Sequence, residues 1–203
     1  MGISIHYKGK IKDTTLVYSV VDELKDISKI MNWNFTIIDN NWDKPLSAEL
    51  TTHENRTEIT GHIPLKGILM NLHPNCEPLS VMFDKNGNLQ SIYGMIVNQQ
   101  ENNKPDSYYL SVKTQFAPPE THIAIVKLLK YLKKKYILDL EVLDEGSYWE
   151  TGDKELLTQK ISFINKKIDQ IEEIILSTKN DLYSLSPDER ISFLEKILRD
   201  RLK

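Results

Sequence analysis

A turn braced by two prolines contains the side chains of this sequence that are best suited to metal binding. It reads His73-Pro74-Asn75-Cys76-Glu77-Pro78 and brings an imidazole, a thiol and a carboxylate within five positions. All three groups bind divalent metals in proteins. The spacing supplies only half of a metal motif, because the chain has no second cysteine and its other histidines are scattered. We therefore predict a structural turn, and we expect no metal and no cofactor.

Nucleophilic catalysis is the second chemistry that this turn suggests. A cysteine beside a histidine can act as a nucleophile with its base. Carboxylates from elsewhere, Glu145 or Glu150, could join His73, Cys76 and Glu77 in a hydrolase-type or metal-dependent site. No nucleophile elbow or other catalytic signature surrounds the cysteine. This enzyme is the alternative function, and the simpler interpretation of Cys76 is a small, partly buried side chain.

The run from Asp144 to Asp153 combines carboxylates with two aromatic rings. Tyr148 and Trp149 could stack on a ligand, while neighbouring carboxylates perform acid–base chemistry or hold Mg²⁺. The alternative is a junction at which the two rings attach a C-terminal helix to the rest of the fold. Asp153 stands where the N-cap of that helix is needed, which favours the junction.

Lys113 and Gln115 are candidate anion-binding residues. They end a predicted strand that leads directly into a helix, and helix N-termini attract anions. Pro118 and Pro119 follow, and prolines lack the N–H groups that cradle a phosphate. The sequence therefore contains neither a P-loop nor a dinucleotide-binding fingerprint.

Two β-α-β patterns position these candidates. The first has an alternating strand over residues 3–7, a helical stripe over residues 17–31 and a β-branched strand over residues 35–38. The second has a strand before Gln115, a long amphipathic helix that begins at the prolines, and a strand over residues 140–143.

Between the two units the sequence predicts a β meander. The Asn86-Gly87 step indicates a hairpin whose return strand covers residues 89–97. Residues 40–56 are polar and without period, which predicts a loop. We therefore expect residues 1–153 to form an α+β two-layer sandwich, in which one mainly antiparallel sheet is covered by two helices.

Residues 154–203 follow a different pattern, typical of helices that assemble. Aliphatic residues alternate at spacings of four and three, as a heptad seam requires; they are Leu157, Ile161, Ile164, Ile168, Ile171 and Ile175. Ser186-Pro187-Asp188-Glu189 is a capping box that starts a second helix after a connection over residues 177–185. We predict a C-terminal helical hairpin whose seam packs on its own second helix, on the sheet or on another subunit.

Composition narrows the function classes. A formal charge of −3 gives no electrostatic reason to expect nucleic acid, so the lysines of the long helix are predicted to be a solvated face. No apolar run approaches the roughly 18 residues of a membrane span. The single cysteine rules out an intramolecular disulfide, and without an export signal we expect a cytoplasmic protein.

The contrast between a regular seam and an incomplete catalytic set indicates a protein-interaction function. The α+β domain would supply a recognition surface, and the C-terminal helices would mediate assembly with a protein partner or, most simply, as a homodimer. An accessory or regulatory subunit of a bacterial-type complex fits this description.

Overall fold

The computed structural model describes residues 2–53, 56–100, 109–178 and 185–201. The strands are β1 (Ser4–Lys8), β2 (Asn34–Asp39), β3 (Glu49–His53), β4 (Arg56–Thr60), β5 (Lys66–Asn71), β6 (Leu79–Phe83), β7 (Leu89–Gln90), β8 (Leu110–Lys113) and β9 (Glu141–Asp144). The helices are α1 (Val17–Ile30), α2 (Ile92–Gln100), α3 (Pro119–Lys135), α4 (Tyr148–Thr151), α5 (Lys154–Ser177) and α6 (Pro187–Arg201). The predicted α+β class with antiparallel pairing and a C-terminal helical region is confirmed.

The strands divide among three sheets, which corrects the prediction of a single one. Their orders are β8-β1-β9, β2-β5-β6-β7 and β3-β4. The chain leaves β1 at Gly9 and joins the tip of the β6–β7 hairpin, where Leu89 N donates to Gly9 O and Ile11 N donates to Gly87 O. Two sheets therefore meet at this tip through a few backbone bonds and are not one continuous ladder.

The two predicted β-α-β patterns have different outcomes. β8, α3 and β9 form a split unit, because β1 lies between the two strands and is antiparallel to both. In the other pattern, β1 and β2 belong to different sheets, and α1 packs on β5 and β2. Both long helices nevertheless share one hydrophobic core, to which α1 contributes Val20 and Leu24 and α3 contributes Ile125 and Leu129.

The central region differs from its prediction in two places. Residues 92–100 form α2 and not a return strand, because Ser91 Oγ accepts a hydrogen bond from Gly94 N at 2.9 Å and starts a helical turn. The predicted loop over residues 40–56 contains β3, which is paired with β4. The Asn86-Gly87 turn itself is confirmed, with Gly87 at a φ of 85°.

The C-terminal region is helical, and its caps are those that the sequence predicts. Asp153 Oδ1 accepts from Glu155 N at 2.8 Å and from Leu156 N at 3.0 Å at the start of α5. Glu189 Oε2 accepts from Ser186 N at 2.9 Å at the start of α6. The helices α5 and α6 contact each other, while residues 179–184 of the predicted connection lie outside the described residues.

None of the helices that the structure describes combines the length and the apolar character that a bilayer span needs.

Gly67 in β5 is a position where the fold requires glycine. A Cβ there would lie 2.2 Å from Val81 O and 2.5 Å from Met82 Cα on the neighbouring strand. We expect Gly67→Ala to lower the free energy of unfolding by about 3 kcal/mol, measured by urea denaturation. Gly152→Ala is the control, because Gly152 has a φ of 66° but no atom within 4 Å, so only the backbone cost of about 1–2 kcal/mol applies. Equal losses in the two variants would contradict the close approach.

Candidate functional site

The proline-braced turn is closed by hydrogen bonds of its own. Cys76 N donates to His73 O at 3.0 Å, and Asn75 N donates to His73 Nδ1 at 3.1 Å. Glu77 bonds the edge of β8 twice, since its carboxylate accepts from Lys113 N at 2.7 Å and its N–H donates to Lys113 O at 3.1 Å. The turn therefore covers the free edge of β8 as a strand would.

The carboxylates predicted to complete an enzyme site do not converge with this turn. Glu77 bonds β8, whereas Glu145 follows β9, and β1 lies between these two strands. Two inter-strand spacings correspond to about 10 Å. Among the residues that the structure describes, no three His, Cys, Asp or Glu side chains are grouped so that they could hold a metal ion.

Cys76 has the protonation state of an unactivated thiol. It is partly buried and packs against the hydrophobic core. Burial, together with the negative charge of Glu77, raises the pKa of the Cys76 thiol to about 11. Since the thiolate is the reactive form, this environment works against nucleophilic catalysis at neutral pH.

A buried polar network links β8, α3 and β9, and the sequence analysis missed it. His122 Nε2 lies 3.0 Å from Asp144 Oδ1, and His122 Nδ1 lies 2.7 Å from Thr114 Oγ1. The order hydroxyl, imidazole, carboxylate is that of a catalytic triad. All three side chains are completely buried, however, so a substrate cannot reach the hydroxyl. The network is structural.

The spacing of apolar residues in the sequence could have indicated that His122 is buried. His122 precedes Ile125 and Leu129 by three and seven residues, which places it on the buried face of α3. A buried histidine requires polar partners. The partners themselves, Thr114 and Asp144, lie on two strands that only the folded sheet brings to α3.

Asp144 is the centre of this network. Its carboxylate lies beside His122 Nε2 and accepts hydrogen bonds from Gly146 N at 2.7 Å and from Trp149 N at 2.8 Å. Burial acts to raise the pKa of the carboxyl group, but the hydrogen bond and charge of His122 and the two N–H donors lower the Asp144 pKa on balance. The ionised carboxylate thereby fixes the turn that leads from β9 into α4.

Tyr148 and Trp149 lie on α4 at the junction with α5. Both rings pack against the hydrophobic core. The Trp149 ring also carries two lysine ammonium groups from α3, with Lys130 Nζ at 5.4 Å and Lys133 Nζ at 5.8 Å from its centre. The rings thus join α4 to α3 and the core.

Glu145 and Glu150 lie on the outer side of the same junction. Glu145 Oε2 accepts from Ser4 N at 2.7 Å, which ties the start of β1 to the end of β9. Lys160 of α5 donates to Glu145 O at 3.2 Å and to Ser147 Oγ at 2.6 Å. Glu150 lines a shallow pocket of about 380 Å³ together with Glu145.

The candidate anion-binding residues also connect elements. Gln115 is buried, its Oε1 accepts from Ile3 N at 3.3 Å, and its Nε2 donates to Asn165 Oδ1 at 3.3 Å. Lys113 Nζ lies 5.0 Å from the centre of the exposed Phe116 ring. Gln115 therefore joins β1 to the middle of α5.

The predicted heptad seam of α5 has a covered part and an open part. Leu157 and Ile161 are buried in a small cluster with Ile3 at the start of β1. Farther along the seam its isoleucines are only half-buried or exposed, and Ile175 keeps 41% of its surface. We call these residues the open seam: Ile164, Ile168, Ile171 and Ile175.

Other apolar side chains of the C-terminal helices are also exposed. Phe163 and Leu176 of α5 are each 62% exposed, and Ile191 at the start of α6 is 61% exposed. A groove of about 550 Å³ lies at the covered end, where Ile3 and Leu156 form part of its apolar wall. Apolar surface on this scale marks interaction sites in proteins.

Comparison of the chain with protein-family models, with curated proteins and with solved structures gives no significant match.

Asp144→Asn tests the buried network. We expect this substitution to lower the free energy of unfolding by about 3 kcal/mol at pH 7. It removes the negative charge that His122 and the N–H groups of Gly146 and Trp149 surround. The pKa of Asp144 in the folded protein lies below its unfolded value of about 3.9. The stabilisation by the ionised carboxylate is therefore complete above the unfolded pKa and is lost as the pH falls through the folded pKa.

Urea denaturation between pH 7 and pH 3 measures this contribution. The difference between the unmodified protein and Asp144→Asn should stay constant down to about pH 5 and shrink below about pH 4. Asp26→Asn is the control, because the Asp26 side chain is 69% exposed and its neighbour Lys29 is 3.9 Å away. A difference that grows on acidification would show that the charge of Asp144 does not stabilise the fold.

The Cys76 turn gives a second test. We expect iodoacetamide to label Cys76 slowly at pH 7.5 in the folded protein and faster above pH 10, since the thiol pKa is about 11. Cys76→Ser and His73→Ala should leave assembly unchanged. A labelling rate at pH 7.5 equal to that in urea, or loss of function at an unchanged melting temperature, would revive the enzyme hypothesis.

Proposed function

We propose that this protein is a cytoplasmic protein-interaction or accessory subunit that assembles through its C-terminal helices, most simply as a homodimer. The open seam is the observation that carries the proposal. Its four isoleucines recur at heptad spacing on one side of α5, and they keep solvent-accessible surface after the chain has folded. Such a narrow apolar stripe has the geometry of knobs-into-holes packing.

The size of the hydrophobic effect supports a partner on this surface. Complete burial of an aliphatic side chain is worth about 1.5–3 kcal/mol relative to exposure. Association would bury the surface that the four isoleucines keep, and this gain acts against an association cost of roughly 4–15 kcal/mol. α6 contacts α5 but leaves this stripe accessible, since Ile175 keeps 41% of its surface in the folded chain.

The fold holds α5 in a fixed direction, as an assembly helix requires. Asp153 caps the helix, and Lys154 Nζ donates to Glu120 Oε1 of α3 at 2.6 Å. Leu157 and Ile161 then anchor the first turns against Ile3. A partner that binds the open seam therefore meets a helix that is already positioned, which reduces the entropy lost on association.

The lone cysteine supports a cytoplasmic location. Cys76 is partly buried, and the raised pKa of its thiol keeps it protonated. A reducing compartment suits a protein that has one free thiol and no possible intramolecular disulfide.

Replacing Ile168 and Ile171 by Asp tests the proposal; Ile164 is left in place because it also packs against the buried cluster around Leu157. Assembly would place two charges per chain in an apolar contact, so we expect the dissociation constant of the dimer to rise at least 100-fold, an effect of about 2.7 kcal/mol or more. Sedimentation velocity measures the dissociation constant, and circular dichroism and urea denaturation report on the α+β domain, which should remain folded.

Thr158→Asp combined with Ser162→Asp is the matched control. It introduces two carboxylates on the same helix at exposed positions outside the seam. The control should assemble like the unmodified protein. Equal dissociation constants for the control and for the seam variant would rule out the open seam as the assembly surface.

A further inference from the structure

We infer that the partner on the open seam is α5 of a second copy, bound antiparallel about a two-fold axis near Asp169. The inference rests on the proposed function and specifies its interface. The midpoint of the open seam, which runs from Ile164 to Ile175, lies at the level of Asp169 and Gln170 along the helix axis. Two independent observations, one steric and one electrostatic, determine the orientation.

The steric observation is the covered end of the seam. Leu157 and Ile161 lie on the same stripe as the open seam, but their side chains already pack on Ile3 of the same chain. A parallel second helix would have to run along this stripe into the sheet of the first copy. An antiparallel helix overlaps only with the open part, over about 18 Å, and leaves the two α+β domains at opposite ends.

The electrostatic observation is the charge polarity of α5. Within the overlap, the part from Ile164 to Lys167 carries Lys166 and Lys167, whereas the part from Ile168 to Ile175 carries one aspartate, two glutamates and no lysine or arginine. Antiparallel pairing places the basic part of each copy beside the acidic part of the other. Parallel pairing would place like charges side by side, which is unfavourable.

The buried side of α5 near its C-terminal end is not the open seam. Ile174 and Thr178 are buried there. On a helical wheel Ile174 lies about 100° from Ile175, so the open seam lies on a different side of the helix and keeps accessible surface.

Single spin labels on the full-length chain test the orientation. In a Cys76→Ser background, one cysteine is introduced in turn at Ser162, Asp169 or Leu176, all of which are exposed. Ser162 and Leu176 are each seven residues from Asp169. In the antiparallel dimer, labels at either outer position are therefore separated by about 21 Å along the helix axis, whereas labels at Asp169 have no axial separation.

Dipolar spectroscopy distinguishes the outcomes. A distance at Asp169 clearly shorter than the distances at Ser162 and Leu176 supports the inference. Three similar distances would show a parallel dimer and overturn the inference while the proposed function stands. A monomeric mass for the unmodified chain at tens of micromolar, by light scattering, would overturn the homodimer and the inference together.

Charge reversal gives a second readout of the orientation. The triple variant Asp169→Lys, Glu172→Lys, Glu173→Lys makes both halves of α5 basic. In the antiparallel dimer this converts attraction into repulsion, so we expect at least a tenfold rise in the dissociation constant at low salt that diminishes at 1 M salt. In a parallel dimer the acidic residues already face each other, so the variant only replaces repulsion between carboxylates by repulsion between lysines. An unchanged dissociation constant would therefore overturn the inference.

Discussion

The buried carboxylate of Asp144 is the interaction on which the arrangement of this protein depends. It is completely buried, and it is compensated by His122 and by the N–H groups of Gly146 and Trp149. An uncompensated charge in the same place would cost several kcal/mol. Because its partners belong to α3 and to the turn into α4, this carboxylate fixes the geometry at which the chain leaves the sheet and enters α5. The direction of α5, and hence the position of the open seam, follows from it.

The chemistry suggested by residue types is used for structure in this fold. Glu77 bonds the edge of β8, Gln115 joins β1 to α5, and Trp149 packs against the core. Glu77 and Gln115 provide hydrogen bonds to backbone groups that would otherwise be unpaired, and Trp149 covers apolar surface that would otherwise be exposed. Along α5, by contrast, folding leaves apolar side chains exposed, among them Phe163 and Ile175. This surface is the basis of the proposed assembly function.

Local signals in the sequence predicted local structure well. The caps at Asp153 and Glu189 and the turn at Gly87 depend on neighbouring residues only, and the structure confirms them. Two features depended on distant parts of the chain. The hairpin tip joins Gly9 across the sequence, so the division into sheets could not be predicted, and Asp144 meets His122 only after β9 has paired with β1. The α2 helix was missed because its apolar residues also suit a strand.

The central claim is that the open seam is buried in an assembly, and the mass of the unmodified protein in solution tests it most directly. Sedimentation equilibrium over a concentration series at physiological salt gives this mass without labels or substitutions. A homodimer predicts a mass that rises with concentration to twice the chain mass of 23.6 kDa. A mass that stays at 23.6 kDa up to tens of micromolar would contradict self-association through α5.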